Sequence, residues 1–148
     1  MFLSFSVSSV SAANTSSNYE CLECDILEGK VAVDYINKAF ESKVYQNKVS
    51  HKEIKNAQTT YFKAGENFPE DVVVVSGMIG EDETNSVQVF ITANDKKVVK
   101  VSHIQSTGLN SDDDFTLKAY DSKGNLRATS EGTIKENTLF CLWLNCTL

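Results

Sequence analysis

The chain has little of what several protein classes require. One Pro and seven Gly among 148 residues exclude collagen-like and Pro-rich material. Basic residues are in deficit: 14 Lys and Arg face 20 Asp and Glu, a formal net charge of −6. That balance leaves no basic face to neutralise a phosphate backbone, so nucleic acid is not an expected partner. No apolar run approaches the ~20 residues that span a bilayer as a helix, so no transmembrane segment is expected. Only two histidines occur, and no nucleophile elbow, H-E-x-x-H, P-loop or dinucleotide fingerprint is present. What is there suits a folded domain. Hydrophobic residues make up 41%, with eight Phe, five Tyr and one Trp, and a chain of this length can bury roughly 70% of its unfolded surface.

The start reads as an address. Residues 1–13, MFLSFSVSSVSAA, are apolar and small, and no charge occurs before Glu20. Val10-Ser11-Ala12 sets small side chains at the positions a signal peptidase reads, with a cut expected before Ala13. The basic n-region of a full signal is missing, so residues 1–12 read as a signal-peptide remnant and residues 13–148 as one domain.

Cysteine placement agrees with export. Cys21 and Cys24 lie near one end and Cys141 and Cys146 near the other, with none between. An even count in an oxidising compartment is naturally paired, and three connectivities are open. Either two local loops form, or two bridges tie the N-terminal segment to the C-terminal one. A crossed bridge closes more than a hundred residues, worth about 4–5 kcal/mol in the chain-entropy model. A four-thiolate zinc site has only half of its usual spacing and lacks the glycine turns. A redox C-x-x-C needs positive potential, whereas Glu20, Glu23 and Asp25 surround this pair. Structural disulfides are expected, with no metal and no cofactor.

The spacing predicts two helices followed by strands. Ile26, Leu27, Val31, Tyr35, Ile36, Ala39, Phe40 and Val44 recur at steps of three and four, which predicts a helix over 26–45 capped by Asp25. Ser50-His51-Lys52-Glu53 has capping-box form and predicts a second helix carrying Ile54, Ala57, Tyr61 and Phe62 to about Gly65. After Pro69 the period becomes two. Strands are predicted at 72–79, 86–93, 97–105, 114–120, 126–134 and 138–146, with short turns such as Asp121-Ser122-Lys123-Gly124-Asn125. The expected fold is α+β: two N-terminal helices packed on an antiparallel meander of five to six strands.

Candidate chemistry is sparse. His51 falls in the first turn of the expected second helix, and His103 alternates with Val99 and Val101 on a strand. A lone histidine on a strand face is more often a hydrogen-bonded structural residue than a catalyst. The loops 110–114 and 81–85 gather oxygen ligands but lack the EF-hand spacing, and solvated turns explain them. Asn14-Thr15-Ser16 and Asn145-Cys146-Thr147 fit the N-glycosylation sequon. The stretch Leu139-Phe140-Cys141-Leu142-Trp143-Leu144 is the most hydrophobic beyond the leader; it reads first as a central strand buried on both sides and second as an exposed edge, for which Phe140, Leu142 and Trp143 are the candidate binding residues. The Q-x-V-x-G hairpin of cystatin-type inhibitors is absent, since Gln46-Asn47-Lys48-Val49-Ser50 lacks its glycine.

These features point to a secreted, non-enzymatic binding protein such as an inhibitor, toxin or bacteriocin-like factor, with a protein or cell-surface partner. Two alternatives are a precursor of a C-terminal, cystine-closed antimicrobial peptide and a small secreted hydrolase using carboxylates or His103.

Overall fold

The computed structural model describes residues 24–66, 68–108, 110 and 112–133, with Asp82 described in its backbone only. Residues 1–12, expected as a signal remnant, and Cys21, Cys141, Cys146, Phe140, Leu142, Trp143, both sequons and the strand expected at 138–146 therefore lie outside the described residues.

Val72-Val73-Val74-Val75 is β-branched throughout and buried throughout. Such a run suits a strand with both faces covered. It sits in β3 (Val72–Ile79), third of seven strands. The others are β1 (Cys24–Leu27), β2 (Ile54–Phe62), β4 (Asp82–Thr92), β5 (Val98–Ser106), β6 (Asp114–Asp121) and β7 (Leu126–Thr133). Each pairs antiparallel with its neighbours, and the order across the sheet is the order along the chain. Two short helices, α1 (Gly29–Phe40) and α2 (Lys43–Lys48), lie between β1 and β2.

This overturns the expected α+β arrangement of two helices on five to six strands. The segment from Ile54 to Phe62 is a strand, paired with β1 on one side and β3 on the other. Its helix-like spacing has a specific cause. A bulge between Lys55 and Gln58, with Asn56 at φ 51°, inserts an odd step. Ile54, Ala57 and Tyr61 therefore reach one cluster on one side of the sheet despite steps of three and four. The Ser50 hydroxyl accepts from the Lys52 amide at 3.0 Å, a local turn rather than a helix cap.

The expected first helix is also divided. Asp25, its predicted cap, is in β1, paired with Tyr61. Gly29, at φ 67°, turns the chain from strand into helix, a conformation that carries no Cβ cost in glycine. The helix stops at Glu41, and Ser42 caps α2 by accepting from the Tyr45 amide at 3.3 Å. Tyr45, fully buried, donates its hydroxyl to the Lys52 carbonyl at 2.5 Å, and Gln46 donates to the Phe40 carbonyl at 2.8 Å. These bonds hold α2 against both flanking segments.

The core lies mainly between α1, α2 and one face of the sheet. Tyr35, Ala39, Val44 and Tyr45 meet Val73, Val75, Val87, Val89, Ile91 and Val101 there. The opposite face carries two further clusters: Phe62, Val72, Val74 and Phe90, beside Cys24 and Phe68, and Ile104, Phe115, Leu117 and Ala119. Neither contains a helix residue. Among the described residues no helix is long and apolar enough to cross a membrane.

Candidate functional site

Each chemistry-bearing residue sits where the sheet register puts it. His103 lies on β5 opposite Val87 of β4 and Lys118 of β6, on the helix-bearing face. It is half-buried, and its Nε2 is 2.6 Å from the Asn85 amide oxygen, which accepts. Burial is the larger reason its pKa falls below the ordinary histidine value, and the Lys118 charge adds to it. The described polar contact of His103 is thus to an amide across the strands. His51 lies in an exposed bend before β2.

In the two acidic loops Asp113, Asp114, Glu81 and Asn85 make polar contacts. Asp113 accepts from the Asn110 amide at 2.8 Å, and Asp114 exchanges bonds with Thr107 through its amide and carbonyl. Glu81 pairs with Lys55, while Asn85 is engaged by His103. The Asp113 contact closes a turn, and the Glu81 and Asn85 contacts reach across to neighbouring strands. Among the described residues no group of three His, Cys, Asp or Glu is placed to hold a metal ion. A cavity of about 180 Å³ lies between Asp34, Tyr35, Lys38 and Lys96, with the Lys96 ammonium 5.4 Å from the Tyr35 ring centroid. Its size is below the range that encloses an organic ligand.

Cys24 is the cysteine within the described span. It is disulfide-bonded, and since Cys21, Cys141 and Cys146 lie outside that span, the pairing is not described.

The described surface most suited to recognition is β7. Six consecutive residues, from Leu126 through Glu131, are exposed on both faces, Leu126 at 53%. Among the described residues this strand is the sheet's edge. Its start is fixed by Asp121, whose carboxylate accepts from the Lys123 and Asn125 amides at 2.9 Å each and from Arg127 Nε at 2.7 Å. The Asn125 amide does most to hold that carboxyl well below the usual carboxylate range, with Arg127, Lys123 and the Asn125 side chain contributing. Gly124, at φ 87°, closes the turn. Sequence reasoning placed the strand but not its role. The signal was its composition, LRATSEGT, which offers no apolar stripe to either face.

No protein-family model, no curated protein and no solved structure matches this chain.

Proposed function

We propose that this chain is an exported, non-enzymatic binding domain, an inhibitor, toxin or bacteriocin-like factor that engages a protein or cell-surface partner along β7. The observation that carries the reading is the exposure of that strand on both faces from Leu126 through Glu131. A strand at a sheet edge offers main-chain donors and acceptors to an incoming strand. Arg127, Glu131 and the intervening hydroxyls keep such an edge from pairing with its own copies. The leader-like start and the half-cystine at Cys24 support placement in an oxidising compartment.

Two measurements test it. Intact mass of the product recovered outside the producing cells should show a chain beginning at Ala13; cytosolic product with residues 1–12 attached overturns the export reading. Fluorescently labelled protein should bind saturably to intact cells from the producer's surroundings. A Leu126→Glu, Thr129→Glu double variant that keeps the circular dichroism of the sheet should lose that binding at least tenfold. Release of a fragment cut between residues 134 and 140 would favour the peptide-precursor reading instead. Substrate turnover abolished by His103→Ala would favour the hydrolase.

A further inference from the structure

Lys96 stands where a side chain is disfavoured. It lies in the turn between β4 and β5 at φ 54°, its amide donating to the Thr92 carbonyl at 2.9 Å. Glycine takes that left-handed conformation at less cost. A backbone held in a sparsely populated region directs attention to what its side chain does.

The Lys96 side chain reaches back to α1. Its ammonium is 5.4 Å from the Tyr35 ring centroid, and it lines the cavity of about 180 Å³ together with Asp34, Tyr35 and Lys38. A ring face attracts an ammonium but offers its three N–H donors no lone pair. The acids nearby are committed elsewhere: Asp34 to Lys30 at 3.0 Å, and Asp95 to the Thr92 hydroxyl and to Lys97 at 3.8 Å. Among the described residues neither Lys38 nor Lys96 forms an ion pair. Tyr35 is only 7% exposed, and its hydroxyl makes no hydrogen bond among the described residues. Burial raises that hydroxyl above the ordinary tyrosine pKa, so it stays protonated and able to donate. Three donor groups without acceptors thus belong to the lining of one cavity, on a chain of net charge −6.

We propose that this cavity takes one phosphate group, held between the Lys38 and Lys96 ammoniums with the Tyr35 hydroxyl as neutral donor. Charge selects the class. Two ammoniums match a group carrying about −1.5 to −2 at neutral pH, whereas a carboxylate leaves one of them unbalanced. The Asp34 carboxylate opposes an anion, and its pairing with Lys30 weakens that opposition. The last carbonyls of α1 are already occupied: Asn37 accepts from the Glu41 amide at 2.9 Å, Ala39 from Ser42 at 3.2 Å and Phe40 from the Gln46 side chain at 2.8 Å. Volume agrees, since a space too small for an organic ligand still admits a tetrahedral ion with part of its water. Both lysines are exposed, so solvent screens them and sets the affinity in the millimolar range.

The test uses the full chain and depends neither on export nor on β7. Inorganic phosphate is titrated at pH 7.5 and fixed ionic strength, and backbone amide shifts are followed by NMR. The shifts should saturate and be largest around Lys38 and Lys96. Lys38→Gln and Lys96→Gln should each weaken binding at least about fivefold, and Tyr35→Phe about threefold. Lys97→Gln, which removes a base already paired with Asp95, should stay within about 1.5-fold. No saturation below about 50 mM phosphate, an equal loss from Lys97→Gln, or acetate binding as tightly as phosphate overturns the proposal. Glycerol phosphate separates the two sources of the group: tighter binding than inorganic phosphate assigns a phosphate monoester, weaker binding the free ion. Where Tyr35→Phe does not fold, the lysine variants decide.

Discussion

β3 and β7 are strands of equal length in the same antiparallel sheet, yet they are built for opposite surroundings. The first half of β3 buries four consecutive valines, alternately against the helices and against the Phe62–Phe90 cluster. In β7 six consecutive residues meet solvent. Backbone pairing is common to both, so the difference lies in what the side chains lose or keep of their water. At ~25 cal/mol per Å² of apolar area, burial makes the middle of the sheet its source of stability, and β7 adds little to it.

The largest expected effect tests whether the second face is as dry as the first. Phe115→Ala should cost about 3–5 kcal/mol in denaturant unfolding, a scale comparable with Ile91→Ala beneath the helices at about 2–5 kcal/mol. A cost for Phe115→Ala of about 1 kcal/mol or less would show that only the helix-bearing face is a true core.

Next comes the close approach of β2 and β3. A Cβ on Gly77 would fall 2.5 Å from Ile54 Cγ2 and 2.7 Å from the Lys55 carbonyl oxygen. That oxygen belongs to backbone and cannot rotate away, so Gly77→Ala should destabilise by about 1–3 kcal/mol, read from the urea midpoint.

The pH response of His103 is smaller. Its folded pKa is depressed, so below the unfolded value of ~6.5 the unfolded chain binds the proton first. Its contribution is thus present above about pH 6.5, and is lost progressively as pH falls from there toward the folded pKa. His103→Gln should flatten the melting temperature between pH 7 and 5, measured by thermal unfolding across that range.

The smallest effect falls on the edge. Leu126→Ser should change stability by no more than about 0.5 kcal/mol in the same urea titration, because that side chain has little burial to lose.

Five of the strands were legible because β-branched residues and period two survive wherever pairing is regular, as from Val98 to Ser106. The two that were missed have local causes. In β2 the bulge at Asn56 reproduces a helical step. In β1 only four residues pair, too few for alternation to declare itself, and their apolar members Ile26 and Leu27 merge with the pattern of α1. The break between α1 and α2 rests on Ser42, whose capping bond carries no apolar signature. At the candidate site, the Asp121 turn could be read from its residue types. The exposure of β7 depends on what lies against each of its faces, which spacing within the strand does not reveal. His103 was placed correctly on its strand, but its Asn85 partner is a cross-strand neighbour that spacing along the chain does not reveal.

Because strand order repeats chain order from β2 to β7, each new hairpin needs only the strand completed just before it. No segment must wait for a distant mate, which lowers the loop-closure entropy met at each step. A polypeptide threaded through a pore from its N-terminus could add one strand at a time as it emerges, with the unpaired growing edge always the youngest. Among the described residues β7 is the last strand to be laid down and the one that pairs on a single side.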